Sequence, residues 1–200
     1  MRQAISCEMR LSATLRFLAT GHSFKDLAFS TRIAHNTLSQ IIPETLEPIV
    51  TKLEEQQVIQ FPKKSEDWLN IANKFMNLWH FPNCIGACDG KNIAFHPPRS
   101  EGSKLRNYKV TDSLVLLALV DAEYKFIFVD VGKNGRCHDS SVFLESSLGK
   151  SLKENKLNLP EPSALPGSDY KMPNVIIADD AFALHPNLMK PYPERGLTQE

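Results

Sequence analysis

The stretch Cys84-Ile85-Gly86-Ala87-Cys88-Asp89-Gly90-Lys91 decides the fold. Small and apolar residues lead into a single carboxylate, and a glycine follows it directly. An apolar run that ends in an acid is typical of a buried strand that ends at Asp89. Gly90 then allows a sharp turn, or the close approach of a phosphate or a metal ion. Because Asp-Gly is also a common turn dipeptide, an ordinary strand end is the alternative.

A second run of the same form lies far away in sequence, Val175-Ile176-Ile177-Ala178-Asp179-Asp180. Two apolar strands that each end in an acid favour a functional interpretation over an ordinary turn. Since neighbouring residues of a strand point to opposite sides, we expect only one carboxylate of the Asp179-Asp180 pair to reach a shared site.

Composition sets the outer limits. The chain has 200 residues, 42% of them hydrophobic, which predicts a buried core, one domain and a small appendage. Lys+Arg and Asp+Glu are balanced at 23 each, so the bulk charge indicates no particular partner. Four cysteines without paired zinc-finger spacing predict reduced, partly buried thiols in an intracellular protein. The chain has no signal-peptide pattern and no apolar stretch long enough to span a membrane.

Residues 1–60 are predicted to form a helical segment. Residues 8–20 have apolar side chains at helical spacing, with Gly21 as a C-cap, and Ser23 is placed to cap a second short helix. A third helix begins near residue 34 and continues past Pro43 if it kinks there. This outline predicts either a helix-turn-helix or a plain three-helix bundle. In the first case four polar residues face a DNA groove: His35, Asn36, Thr37 and Gln40.

The rest of the chain is predicted to alternate strands and helices. Residues 61–83 form a connector helix, and residues 84–200 form the main domain, with a hairpin of strands at residues 114–120 and 124–131. Asp139 is placed to cap a following helix. Residues 150–173 are polar and rich in proline, which indicates a surface excursion.

The segment 99–109 has four cations against one acid, with prolines and glycine nearby. Lysine and arginine neutralise phosphates, so Lys104, Arg106 and Lys109 are predicted to bind DNA. A solvated charged loop is the alternative. The position of this segment shortly after Asp89 favours DNA binding.

The order of these elements resembles the α/β mixed sheet of ribonuclease-H-like nucleases. Individual motifs make the resemblance specific to DDE superfamily transposases of the PIF/Harbinger type and to nucleases derived from them. The motifs are Thr14-Leu15-Arg16-Phe17-Leu18-Ala19-Thr20-Gly21, Gly86-Ala87-Cys88-Asp89-Gly90-Lys91, Asn107-Tyr108-Lys109, Leu117-Ala118-Leu119-Val120-Asp121-Ala122, Asp130-Val131-Gly132, Asp179-Asp180-Ala181-Phe182 and Leu188-Met189-Lys190-Pro191-Tyr192. They occur in the family's order over nearly the whole chain.

The resemblance implies a DNA endonuclease in which Asp89 and Asp179 are catalytic and hold Mg²⁺ or Mn²⁺. Such a site cuts by a two-metal mechanism. It also implies a nuclear location and, in many cases, a Myb-like partner protein. Asp89 and Asp179 are then expected on neighbouring parallel strands, close enough to share a cation. Asp139 fits a family position as well, although the predicted cap already explains it.

The sequence departs from the family at three visible positions, Cys88, Asn92 and Ala178, and none of these removes a metal ligand. The family's third acid, a glutamate on a later helix, has no counterpart up to Glu200. We therefore expect the C-terminal part of the fold to be missing, in a fragment or a truncated remnant with doubtful activity. The alternative function is a catalytically inactive relative that binds DNA or a partner protein.

Overall fold

The structure, a computed structural model, describes residues 4–95 and 111–192. The chain divides into two compact units, residues 1–58 and residues 59–200. The basic segment predicted to bind DNA, with Lys104, Arg106 and Lys109, lies outside the described residues.

The first unit consists of three helices: α1 (Cys7–Thr20), α2 (Phe24–Thr31) and α3 (His35–Glu55). The Ser23 hydroxyl accepts a hydrogen bond from the Asp26 N–H, and Gly21 ends α1 in the left-handed conformation with φ of 64°, as predicted. The helix α3 continues through Pro43, an outcome that the sequence left open, and through Pro48. The core of this unit consists of six buried residues: Ala13, Leu27, Ile33, Leu38, Ile41 and Ile42.

The buried face of α1 differs from the one that its apolar spacing predicts. Leu11, Leu15 and Leu18 are exposed, whereas Ala13 and Thr14 are buried. Small side chains let α1 approach its neighbours closely, and the Thr14 hydroxyl is satisfied by donating to the Arg10 carbonyl oxygen. Close packing of small residues therefore outweighs burial of the larger leucines.

The second unit is built on a five-stranded mixed sheet. Its strands are β1 (Cys84–Ala94), β2 (Ser113–Val120), β3 (Phe126–Asn134), β6 (Val175–Ile177) and β7 (Leu188–Met189), in the order β3-β2-β1-β6-β7. The strand β1 is antiparallel to β2 and parallel to β6, and β7 is parallel to β6. A two-stranded sheet pairs β4 (Ser163–Ala164) with β5 (Lys171–Met172).

Three helices of this unit complete the α/β architecture: α4 (Ser65–Trp79), α5 (Asp139–Glu145) and α6 (Ser147–Lys153). The helix α4 is part of the core and not merely a connector, since Trp68 is fully buried and its indole N–H donates to the Leu157 carbonyl oxygen at 2.8 Å. The core continues through Ile85 and Val115 to Phe143. The predicted α/β fold, a mixed sheet preceded by helices, is confirmed.

Several details of the second unit were not predicted. The helix α6 overlaps the start of the segment 150–173, which was expected to be a surface excursion, and the β4–β5 pair lies within that segment. The strand β7 was not predicted either. The strand β1 continues five residues beyond Asp89, because β2 pairs with it as far as Ala94. Asp89 is therefore inside β1, and Gly90 makes no turn.

In the part of the chain that the structure describes, no helix combines the length and the apolar character needed to cross a membrane.

Candidate active site

The structure brings Asp89 and Asp179 to the same region of the sheet. Asp89 lies on β1, and Asp179 follows the end of β6 by two residues. Because Ala87 pairs with Ile177 in the parallel β1–β6 ladder, both acids lie two residues beyond the last pair. Adjacent strands of a sheet lie about 5 Å apart, so this register brings the two acids to the same level of the sheet. The expected parallel neighbourhood of the two acidic strands is confirmed.

Both carboxylates are exposed, and nearby backbone groups hold each of them in place. The Gly90 N–H donates to Asp89 Oδ1 at 2.7 Å, and the Ala181 N–H donates to Asp179 Oδ1 at 3.0 Å. These bonds restrict the rotation of the side chains. The second residue of the acidic pair, Asp180, is also exposed, and its carbonyl oxygen accepts a hydrogen bond from Lys190 Nζ at 3.0 Å.

Asp139 is the acid whose role the sequence did not reveal. The prediction that it caps α5 is wrong, because α5 begins at Asp139 itself and His138 occupies the N-cap position without a side-chain capping bond. The Asp139 carboxylate instead lies against Gly90. A Cβ atom added at Gly90 would be 2.0 Å from Asp139 Oδ1. The missing side chain of Gly90 thus provides the space that Asp139 occupies.

Two pKa shifts show that Asp139 and Cys88 lie within the electrostatic influence of Asp89 and Asp179. Burial, followed by the charges of Asp89 and Asp179, raises the pKa of Asp139 above its ordinary value, while His138 lowers it. The pKa of the Cys88 thiol is raised to about 12, first by burial and then by the charges of the same three aspartates. We call Asp89, Asp139 and Asp179 the acidic site. Its negative potential favours a cation.

The acidic site is not a preassembled metal cage. Among the described residues, no three His, Cys, Asp or Glu side chains are grouped closely enough to hold a metal ion. The chemistry of the donors nevertheless fits Mg²⁺ or Mn²⁺, which prefer carboxylate oxygens.

One signal in the sequence pointed to Asp139, namely its agreement with a family position, and the assumed cap obscured it.

The polar residues predicted to face a DNA groove lie in the first unit at the start of α3. His35, Asn36 and Gln40 are exposed there, and Thr37 is half-buried.

A mixed sheet in the order β3-β2-β1-β6-β7, with one acid on the central strand β1 and a second just beyond the parallel strand β6, agrees with the ribonuclease-H-like outline of nucleases and transposases that the sequence resembles. Within that class, the chain belongs to the family described as DDE superfamily endonuclease. The model of this family matches residues 88–200, more than half of the chain.

Individual relatives agree with this assignment. The chain is 29% identical to the protein ALP1-like of Arabidopsis thaliana, with 94% of the chain and 45% of that protein covered. It is 25% identical to HARBI1 of Xenopus laevis, named as a candidate nuclease, with 94% of the chain and 50% of that protein covered. The chain therefore spans about half the length of these relatives.

Among solved structures, the chain is similar to a Mos1 transposase paired-end complex with left transposon end. The identity is 11%, the TM-score is 0.25, and 90% of this chain and 54% of the transposase are covered.

Proposed function

We propose that this chain contributes to a metal-dependent DNA endonuclease of the transposase-derived type, with Asp89 and Asp179 as its catalytic acids. The observation that carries the proposal is the parallel register of β1 and β6, in which each acid follows the last pair of the ladder by two residues. Membership of the endonuclease family supports the reaction class. DNA as the substrate and the nucleus as the site of action belong to the same proposal.

Asp89 and Asp179 would hold the divalent ion, each through a carboxylate oxygen. A bound Mg²⁺ or Mn²⁺ supplies Lewis-acid stabilisation of the charge that develops on the phosphate. The protein provides the two donors and fixes them through the Gly90 and Ala181 N–H groups. Asp139 adds negative potential next to them and so increases the local attraction for a cation.

Calorimetric titration with Mn²⁺ tests the metal site. Asp89→Asn and Asp179→Asn should each weaken Mn²⁺ binding by about tenfold or more, since even residues that only support metal ligands cost 10–100-fold. Asp180→Asn is the matched control, because this exposed neighbour of Asp179 is not among the charges that act on Asp139 or on Cys88. Equal affinities in wild type and in both site variants would refute the proposed metal ligands.

A nicking assay on supercoiled plasmid tests the reaction. Cleavage that requires Mg²⁺ or Mn²⁺, is lost in Asp89→Asn and persists in Asp180→Asn would support the endonuclease. Mn²⁺ binding without cleavage under any condition would favour the alternative, a relative that binds DNA or a partner protein and does not cut.

The basic segment remains a prediction from sequence. Replacing Lys104, Arg106 and Lys109 together by alanine should weaken DNA binding for all sequences alike and reduce its salt dependence, since fewer counterions are released. Fluorescence anisotropy of a labelled duplex at several salt concentrations measures both effects. Unchanged affinity in the triple variant would identify the segment as solvated surface.

A further inference from the structure

An open cleft of about 600 Å³ adjoins the acidic site. Its lining residues are Asn92, Gly135, Arg136, Cys137, His138, Asp139 and Ala181. Two of them connect the cleft to the proposed catalytic acids. Asp139 is itself part of the acidic site, and the Ala181 N–H is the group that donates to Asp179 Oδ1. A molecule bound in the cleft would therefore lie directly beside Asp179.

The opposite wall of the cleft is the loop between β3 and α5, and backbone hydrogen bonds fix its conformation. The Gly135 N–H donates to the Ser113 carbonyl oxygen at 2.9 Å, and the Cys137 N–H donates to the Asn134 carbonyl oxygen at 2.9 Å. Gly135 is buried, and a Cβ atom there would be 2.0 Å from Ser113 Oγ. The loop is thus held tightly against β2.

This fixed loop presents three consecutive exposed side chains, those of Arg136, Cys137 and His138. Arg136 carries a planar cation with several donors that suits phosphate oxygens, and His138 adds a second nitrogen donor. His138 also lies close enough to Asp139 for its charge to act on that carboxyl. The Arg136 cation and the His138 ring nitrogens of this loop therefore lie next to the negative acidic site.

We propose that this cleft binds the phosphodiester backbone of the substrate strand beside the phosphate to be cut, with Arg136 and His138 as its phosphate contacts. The inference rests on the proposed function, because it places the reacting phosphate at Asp89 and Asp179. The acids need a divalent ion between themselves and a phosphate. The Arg136–His138 loop can contact the neighbouring phosphate directly.

Cys137 provides a reporter inside the cleft. Cys84 and Cys88 are buried, with pKa values raised to about 11 and about 12 by burial, so both react slowly with a maleimide near neutral pH. Of the four cysteines, Cys7 and Cys137 are exposed. In a Cys7→Ser protein, labelling therefore reports on Cys137.

The experiment measures the labelling rate of Cys137 in the Cys7→Ser protein with and without a saturating fluorescent DNA duplex of arbitrary sequence. Bound DNA should slow labelling at least tenfold, by simple exclusion of the reagent. Absence of measurable binding would overturn the proposal. So would binding, shown by anisotropy, that leaves the labelling rate unchanged.

A double variant, Arg136→Ala/His138→Ala, tests the contacts themselves. It should weaken duplex binding. It should also reduce the slope of the logarithm of the binding constant against the logarithm of salt concentration by the equivalent of about one to two phosphate contacts. Truncating His138 leaves the capping of α5 unchanged, since its side chain makes no capping bond. Lys156→Ala/Lys171→Ala is the matched control, with two exposed cations that do not line the cleft. Wild-type affinity and salt slope in the double variant would overturn the phosphate contacts.

Mn²⁺ titration of the same double variant separates this inference from the proposed function. Its Mn²⁺ affinity should be no weaker than that of wild type, because Asp89 and Asp179 are unchanged and only a neighbouring cation is removed. If DNA protects Cys137 from labelling but the chain binds no Mn²⁺, only the proposed catalytic function is refuted. If Mn²⁺ binds normally but DNA does not protect Cys137, only the proposed phosphate-binding cleft is refuted.

Discussion

At the scale of single residues, the acidic site depends on the contact between Gly90 and Asp139, two residues that are distant in sequence. Asp139 can lie beside β1 only because residue 90 has no side chain. The sequence showed an Asp-Gly dipeptide and a separate acid before a helix, and each had a local explanation as a turn or a cap. Their mutual contact is a tertiary fact, so reasoning from local patterns could not find it.

Gly90→Ala should destabilise the second unit by about 1–3 kcal/mol, the usual cost of overpacking. The added methyl group would meet Asp139 Oδ1 at 2.0 Å and Asp139 Cβ at 2.9 Å, so rotation of the carboxylate alone does not remove the clash. Urea unfolding followed by tryptophan fluorescence reports on this unit, because both tryptophans, Trp68 and Trp79, lie in it.

The double variant Gly90→Ala/Asp139→Ala is the control for that measurement. If Asp139 causes the clash, the cost of Gly90→Ala should shrink in the Asp139→Ala background, as a coupling energy between the two positions. Strictly additive effects would show that the strain arises elsewhere.

Asp139 should also impose a pH dependence on stability. Its raised pKa means that the folded chain holds this proton at a higher pH than the unfolded chain, whose value is near the ordinary 3.8. In that window stability falls as pH rises, so the ionised carboxyl is destabilising at neutral pH.

Asp139→Asn should therefore raise the unfolding midpoint at pH 7 by up to a few degrees. The difference from wild type should vanish as the pH falls toward the ordinary aspartate value. Thermal unfolding of both proteins across this range gives the difference directly. Carboxyls whose pKa is lowered, such as those of Asp67 and Glu123, contribute equally to the stability of both proteins, so their contributions cancel in the difference. An Asp139→Asn protein that is less stable than wild type at pH 7 would contradict the prediction that the ionised Asp139 carboxyl is destabilising.

At the scale of secondary structure, long apolar runs were predictable and short pairings were not. The strand β2 alternates buried and half-buried residues over its whole length, and its apolar sequence specified it. The strand β7 has two residues, and it exists because Leu188 pairs with Ile176. The helix α6 begins at Ser147, and the Ser146 hydroxyl accepts from the Gly149 N–H. The polar character of the segment beginning at residue 150 had concealed this helix.

Leu188 gives this short strand a measurable energetic role. Its side chain is 1% exposed, whereas that of the adjacent Met189 is 47% exposed. Leu188→Ala should destabilise the second unit by about 2–5 kcal/mol, the cost of lost burial and a residual cavity. Met189→Ala, the matched control, should cost much less. Urea unfolding by tryptophan fluorescence distinguishes the two variants, and equal costs would show that β7 contributes no core.

At the scale of the whole molecule, charge is balanced, with 23 cations and 23 acids. Long-range attraction to DNA is therefore weak, and binding has to come from local groups of charge. The acidic site by itself repels phosphates, while the loop of Arg136 and His138 attracts them. Bulk composition could predict the balance, but only the fold shows that these opposite charges lie side by side.

A divalent ion should therefore strengthen DNA binding by this chain instead of merely screening it. Ca²⁺ bound between Asp89 and Asp179 would neutralise the acids and contact a phosphate, since it too prefers oxygen ligands. At constant ionic strength, Ca²⁺ should tighten duplex binding by at least about fivefold, a modest coupling between two ligands. In Asp89→Asn/Asp179→Asn, the enhancement should disappear. Asp169→Asn, at an exposed acid before β5, should retain it. Fluorescence anisotropy measures all three proteins, and an equal enhancement in the double variant would place the ion somewhere other than the acidic site.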